Sequence, residues 1–417
     1  MASDLVRRNA IPRARERLDA FPVLVIEGAR QVGKSTFAEL LVEDRPAKVF
    51  TLDDERVRAV ARSDPRAFVE QMPDGVLVID EIQRAPELIL PIKALVDRAR
   101  RPGMVVLTGS SDLLKLERTP DSLAGRAVTL PLRGFSQGER ADRVEDFVMR
   151  ITADDIDPWS FTTGVTRGDY IDILAAGGYP ELQSATGQQR KVWLDSYLSS
   201  IVQRDTVDIS RPVNPNRLQS VLRLLAANQA GELVKARLAT DAQIPATSIS
   251  NYLDVLNILF LAEFLEPWTL NLTRRETGRP KVSVTDSALA MRLARVTAGS
   301  LEPIVGSEYL GLLLEGLVVS ELRKQATWSD QDYDLYHYRD RDQNEVDVIV
   351  ELDDGRVIGI EVKAHRTHKP EHFRGLNKLA DRVGDRFMAG VVLNTAPDGF
   401  ALTNKMWALP IAALWEV

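Results

Sequence analysis

The 417-residue sequence contains no cysteine. Disulfides, thiolate zinc sites and cysteine nucleophiles are therefore excluded, and the fold must rest on its apolar core and any bound ligand. It also lacks any run of about 18 apolar residues, so no membrane-crossing helix is expected. Arg7, Arg8, Arg13 and Arg15 stand near the start with no long apolar stretch behind them. That is unlike a secretory leader, and the cytoplasm is the expected location. There is no excess of positive charge: the net charge is −7. This speaks against a surface built throughout for nucleic acid, while leaving room for a local basic groove. Internal repeats and low-complexity stretches are absent as well. What is present is 44% hydrophobic and 27% charged residues, a globular composition, in a chain long enough for about two to four domains.

Residues 22–27, Pro-Val-Leu-Val-Ile-Glu, form a β-branched run ending at a glycine, and Thr36 to Val42 reads as a helix. Two further apolar runs, Val76–Ile79 and Met104–Leu107, suit strands buried on both faces of a parallel sheet. Residues 1–140 thus read as an α/β core. Residues 141–210 read as a small helical domain, with breaks at Gly177-Gly178-Tyr179-Pro180 and Arg211-Pro212-Val213-Asn214-Pro215. Residues 211–300 give further helices and a hairpin around Arg274 to Val284, the order of a winged helix-turn-helix. From 301 to 417 a second α/β unit is expected: a helix from Glu308 to Gln325, then strands over 333–339, 345–352 and 357–364.

The stretch Gly28-Ala29-Arg30-Gln31-Val32-Gly33-Lys34-Ser35 fits the phosphate-loop pattern, in the strand-loop-helix setting that the pattern requires. Its glycines let successive backbone N–H groups face phosphates, and the helix beginning near Thr36 adds favourable partial charge. Lys34 supplies a point charge, and Ser35 a hydroxyl for Mg²⁺ bound with ATP. Asp80 follows four apolar residues, where it can hold that Mg²⁺, and Glu81 beside it can orient the attacking water. An acidic strand-end turn without ligand is the plain alternative. Thr108 or Ser110, ending the next strand, is placed to sense the γ-phosphate.

With those motifs in view, the chain resembles an AAA+-type ATPase of the prokaryotic group that couples this core to a C-terminal domain of unknown function 4143. The stretches that carry the resemblance are Gly28–Ser35, Asp80-Glu81-Ile82-Gln83, Leu107-Thr108-Gly109-Ser110-Ser111, Leu123-Ala124-Gly125-Arg126 and Gly177-Gly178-Tyr179-Pro180-Glu181. It implies that Arg126 is an arginine finger reaching a neighbouring subunit's nucleotide, and hence a homo-oligomer. A surface arginine pairing a local carboxylate is the alternative.

In the last unit, Glu361 and Lys363 share one strand face, and Asp347 lies on the polar face of its own strand. Carboxylates on adjacent strands can bind Mg²⁺ together, with a lysine to orient water for phosphodiester attack. The pattern resembles the PD-(D/E)xK nuclease fold, which implies that Glu315, on the preceding helix, is a further ligand. The alternative is a binding module whose charges form salt bridges. All four histidines, His337, His365, His368 and His372, fall in this unit, and the last three read as part of a solvated basic segment after Lys363, not a metal site. In the helix-turn-helix region, Arg274, Arg275, Arg279 and Lys281 are the candidates for DNA phosphate contact. The leading expectation is an ATPase acting on DNA or a partner through these domains. A slow ATP-dependent switch with a C-terminal docking module is the alternative, and an ATP-gated nuclease a third.

Overall fold

The computed structural model describes residues 5–110, 123–202, 213–271, 273, 275, 278–303, 308–340, 342–367 and 369–417. The protein is α/β. Its first part holds strands β1 (Val23–Glu27), β2 (Ala47–Thr51), β3 (Val76–Asp80), β4 (Val105–Gly109) and β5 (Ala127–Pro131). All pair in parallel, in the order β2-β3-β4-β1-β5. Every residue of β1, β3 and β4 is buried, which is why these runs are apolar without alternation. Alternate residues still face opposite layers. Val23 and Val25 pack with Ile92 and Val96 of the helix Ile89–Ala99, while Leu24 and Ile26 pack with Leu18, Phe37 and Leu41. Because the strands are parallel, their C-terminal ends share one edge. There β4, lying between β1 and β3, sets Thr108 between the phosphate loop and Asp80.

The middle of the chain is helical, with Arg167–Ala176 and Gly187–Ser200 started by capping boxes at Thr166/Asp169 and Thr186/Gln189. Pro215–Ala227, Lys235–Asp241 and Ile249–Ile258 follow, interleaved with β6 (Gly231–Glu232). The hairpin expected over 274–284 is wider than the sequence suggested. Its arms are β7 (Ala262–Pro267) and β8 (Lys281–Val284), registered from Ala262 opposite Val284 to Leu265 opposite Lys281. Phe260 at φ 56° follows the end of the helix Ile249–Ile258 and turns the chain into β7.

After the helix Glu308–Gln325 come β9 (Tyr333–Arg339), β10 (Glu345–Leu352), β11 (Val357–Val362), β12 (Phe387–Asn394), β13 (Phe400–Thr403) and β14 (Met406–Pro410). The expected boundary at 300 does not separate two sheets. β7 pairs with β9 through Glu266 opposite Tyr336 and Pro267 opposite His337, giving one mixed sheet ordered β13-β14-β12-β11-β10-β9-β7-β8-β6. A hydrophobic cluster likewise runs without a break from Ala10 and Leu18 beside the first sheet to Leu414 and Trp415 at the end of the chain. Among the described residues no helix is long and apolar enough to cross a membrane.

The three parts also meet at charged joints. Glu263 of β7 accepts from Arg133, just after β5, and from Arg323 of the long helix at 3.1 Å, and its side chain is 12% exposed. Replacing it by Gln leaves two largely buried guanidiniums without their shared counter-charge, at a cost of about 3 kcal/mol. Glu263→Gln should therefore lower the thermal unfolding midpoint measurably. An unchanged midpoint would show that this trio is not a structural joint.

Candidate active site

β1 delivers the chain to the C-terminal edge of the first sheet, where Leu132 N–H donates to the Glu27 carbonyl at 2.7 Å. A Cβ on Gly28 would fall 2.0 Å from the Leu132 carbonyl oxygen, so only glycine fits the first loop position. The loop then turns through Gln31 at φ 64° and Gly33 at φ 93°, and Gly33 opens the helix Lys34–Leu41, whose N-terminus no side chain caps. Ala29 and Val32 are buried, while Thr36 lies exposed one step into the helix. Lys34 is folded onto its own loop, its ammonium donating to the carbonyls of Gly28 at 3.1 Å and Ala29 at 2.9 Å. That is an ammonium held at the mouth of a loop suited to phosphate.

Asp80 is the hub beside it. Its Oδ1 accepts from Ser35 Oγ at 2.8 Å and Thr108 Oγ1 at 2.5 Å, and its Oδ2 from Thr51 Oγ1 at 3.1 Å. The chain turns sharply at Glu81, with φ 56°, and the Glu81 N–H donates to Thr108 Oγ1 at 3.1 Å. The Gln83 amide donates both to the Glu81 carboxylate and to Ser110 Oγ, the latter at 2.9 Å. Ser35, Asp80, Thr108, Glu81 and Ser110 thus form one hydrogen-bonded chain across three strand ends. Ser111 lies outside the described residues.

Side chains that sequence reasoning did not assign hold the loop from outside. Arg8, 7% exposed, donates to the carbonyls of Val32 at 3.1 Å and Arg133 at 2.7 Å and to Glu139 at 3.0 Å, and its guanidinium stands 5.0 Å from the centre of the Phe135 ring. Burial lowers its pKa, and Glu139 opposes the shift. Tyr179 donates to the Tyr197 hydroxyl at 3.0 Å, and Tyr197 to the Arg30 carbonyl at 3.2 Å. Gly178 presses on Gly134 so closely that a Cβ on Gly134 would meet the Gly178 oxygen at 2.7 Å. The Gly177-Gly178-Tyr179 break is therefore part of the loop's support. The spacing of Trp193 and Tyr197, four apart on one helix with rings stacked at 5.0 Å, was a readable sign of this face. Thr51 was missed because β2 went unread, and Gln83 because its reach depends on the turn at Glu81.

Arg126 is elsewhere. It precedes β5, whose first residue pairs with Val23, so it sits at the edge of the sheet opposite the loop. Its guanidinium grips Asp97 at 2.5 and 3.2 Å and the Ala124 carbonyl at 3.0 Å.

The C-terminal carboxylates come together around an unexpected group. Lys281 of β8 places its ammonium 2.7 Å from Glu315, 2.8 Å from Glu345 and 3.2 Å from Asp347. Burial disfavours that ammonium, yet the three carboxylates hold its pKa well above the ordinary lysine value. Burial and the nearby Asp347 push the Glu315 carboxyl upward in turn. Asp347 Oδ2 accepts from the Val362 N–H at 2.9 Å, and Glu361 pairs with Lys363 at 2.5 Å. Among the described residues no group of three or more His, Asp or Glu side chains is arranged to hold a metal ion.

The expectation of four phosphate-contacting cations in the hairpin is corrected at two of them. Lys281 is buried in that cluster, and Arg275 is spent on Glu351, at 2.5 and 2.9 Å, and on the faces of Trp268 and Tyr336. Arg279 is exposed, and Arg274 lies outside the described residues. Of the histidines, His337 is buried against the Arg279 carbonyl at 3.0 Å, His365 is exposed, His372 half-buried, and His368 outside the described residues.

Three family descriptions match successive parts of the chain. Residues 20–141 match an AAA domain, 167–300 a domain of unknown function (DUF8612) and 310–414 a domain of unknown function (DUF4143). Uncharacterized proteins of Mycobacterium tuberculosis and Mycobacterium bovis are 27% identical over 373 residues, covering 89% of this chain and 76% of theirs. Among solved structures, a Walker-type ATPase of Pyrococcus abyssi aligns over 70% of this chain and 96% of its own, at 14% identity and a TM-score of 0.46. AMPPCP-bound DnaA of Aquifex aeolicus aligns over 60% and 86%, at 11% identity and a TM-score of 0.29. The loop, the Asp80 hub and the parallel sheet thus lie in a region that matches an AAA domain, and the stretch from 310 to 414 matches DUF4143.

Proposed function

We propose that the protein binds ATP with Mg²⁺ at the Gly28–Ser35 loop, hydrolyses it, and uses the cycle as a conformational switch. The observation that carries this reading is the contact of the Ser35 hydroxyl with the Asp80 carboxylate at 2.8 Å, directly beside Lys34. Oxygen donors of this kind suit a hard cation, so Ser35 and Asp80 are the residues that would hold Mg²⁺. When bound, that ion neutralises phosphate charge. Phosphate oxygens replace the Gly28 and Ala29 carbonyls as partners of the Lys34 ammonium. Glu81 orients a water and takes its proton as the water oxygen bonds to the γ-phosphorus and the bond to the β-phosphate bridge breaks, releasing ADP.

The switch reading, in preference to action on DNA, rests on where the hairpin's cations go and on a rigid connection. Lys281 and Arg275 are committed inside the protein. Meanwhile the segment after β5, held to the loop by Arg8, is tied to the long helix: Gln137 N–H donates to Glu321 at 2.8 Å and Lys324 to the Phe135 carbonyl at 2.9 Å. That same helix carries Glu315 into the C-terminal cluster. A change at the loop therefore has a direct mechanical route to the C-terminal sheet. ATP turnover measured with and without single-stranded, double-stranded and branched DNA tests this. Equal rates support the switch, and stimulation by DNA would restore nucleic acid as the substrate.

Lys34→Ala should abolish measurable ATP binding. Glu81→Gln should bind ATP but lower turnover by at least about 100-fold, the usual worth of a positioned general base. Glu81→Gln turning over at the wild-type rate would remove Glu81 from the chemistry.

Thr108→Val tests the hub. It leaves an Asp80 oxygen and the Glu81 N–H short of a partner inside the protein, a cost of about 1–3 kcal/mol. The expected result is a lower thermal midpoint together with slower turnover. Thr51→Val, which removes the bond to Asp80 and an exposed one from the Asp53 N–H at 3.3 Å, should do less on both counts, and equal effects would dismiss Thr108 as the central link.

Arg126 stands one strand length, roughly 16 Å, from the loop of its own chain. It is assigned to a neighbour's nucleotide in an assembled oligomer, which requires it to leave Asp97. Arg126→Ala should then lose turnover by about 10³-fold or more while keeping ATP affinity. Normal turnover would reduce Arg126 to a surface ion pair.

A further inference from the structure

The carboxylates of the C-terminal unit already hold a cation, and it belongs to another part of the chain. Glu315 on the long helix and Glu345 and Asp347 on β10 all lie within the DUF4143 match, whereas Lys281 lies outside it, in the preceding region. One carboxylate oxygen of each surrounds the Lys281 Nζ at 2.7–3.2 Å. A divalent ion would draw the same oxygens in to about 2.0–2.6 Å, a contraction of roughly 0.6 Å. The second Asp347 oxygen is fixed by the Val362 N–H, so this ligand cannot rotate away.

Lys281 is equally fixed. β8 lies between β7 and β6, and Lys281 is paired on both sides, with Leu265 and with Glu232. Its side chain is 5% exposed. With its backbone paired on both sides and its ammonium enclosed by three carboxylates, Lys281 occupies the centre of the cluster.

We propose that Lys281 is the built-in cation of this cluster, standing where a divalent metal ion would bind, so that the nuclease-like carboxylates serve as an ionic joint between β8 and the C-terminal sheet. The cluster then binds no divalent metal in the intact protein and hydrolyses no phosphodiester. The joint also registers β8 against the helix Glu308–Gln325, whose far end contacts the segment after β5. The wing hairpin, the C-terminal sheet and the ATPase core are thus fixed to one element.

The test is Mn²⁺ binding to nucleotide-free protein, counted by electron paramagnetic resonance, in the wild type, Lys281→Met and Lys281→Met/Asp347→Asn. Lys281→Met should gain one saturable Mn²⁺ site that the wild type lacks, and the double variant should lose it again. Mn²⁺ should also raise the thermal midpoint of Lys281→Met toward that of the wild type while leaving the wild type unmoved. A wild-type Mn²⁺ site that disappears in Asp347→Asn would overturn the proposal, because the ammonium would then yield to metal. A folded Lys281→Met with no gained site would overturn it equally, because the carboxylates would not converge without the lysine. Should Lys281→Met not fold, Lys281→Met/Glu345→Gln, which removes one of the three negative charges, carries the same titration with the same two outcomes.

Discussion

The Asp80 carboxylate is the point on which the nucleotide site depends. Three hydroxyls, from Thr51, Ser35 and Thr108, converge on it from β2, from the helix after β1 and from β4. They meet there because the sheet is parallel and its order places β4 between β1 and β3. In an open parallel sheet the loops after the strands share one edge, and a ligand site forms where they face one another. Thr108 has a second role that follows from the same position. By accepting from the Glu81 N–H it holds the chain in the left-handed turn at φ 56° from which the Glu81 side chain reaches Gln83 and, through it, Ser110. A non-glycine residue in that conformation is strained, and the strain is sustained by the surrounding bonds. Glu81, the Ser35 hydroxyl and Ser110 are therefore linked into one unit whose geometry is set by strand order.

Outside that unit the loop is held by backbone contact. Arg8 binds the carbonyls of Val32 and Arg133 with one guanidinium, and Tyr197 binds the Arg30 carbonyl. Because Arg133 begins the segment whose Phe135 and Gln137 contact the helix Glu308–Gln325, the phosphate loop and the C-terminal unit are separated by a short series of buried polar contacts. Polar contacts of this kind have defined partners and geometry, so a displaced loop moves them as a set. An interface of apolar side chains alone would absorb the same displacement by sliding.

Much of the core was legible because its physics is local. The phosphate loop is a contiguous pattern between a strand and a helix, Asp80 follows four buried residues, and strands buried on both faces are written as unbroken apolar runs. Of the C-terminal strands, β9, β10 and β11 announced themselves through their apolar runs and turns, while β12, β13 and β14 went unread. What was not legible depends on contacts distant in sequence. Arg8 meets residues 24, 125 and 131 positions away, and nothing near it says so. Lys281 read as an exposed wing cation because its neighbours Arg274, Arg275 and Arg279 are basic, while its partners lie 34 to 66 residues further on. Arg275 was misread for the same reason, its partner Glu351 being 76 residues away. The alternation along β10 placed Asp347 on a polar face, but gave no sign of the strand that would cover it.

The two charged joints differ in a way that bears on their roles. At Glu263 one carboxylate is shared by two guanidiniums, and at Lys281 one ammonium by three carboxylates. Neither is neutral by itself, and an uncompensated buried charge is costly. Both lie on the β7–β8 hairpin, whose strands pair with each other in register, Leu265 opposite Lys281 and Glu263 opposite Ser283. The excess positive charge of one joint and the excess negative charge of the other are thereby held on neighbouring strands of one sheet. Displacing the hairpin would break both joints together, exposing opposite excess charges at once. The hairpin is accordingly bound to the helix Glu308–Gln325, and under the proposed switch the two would move as one body.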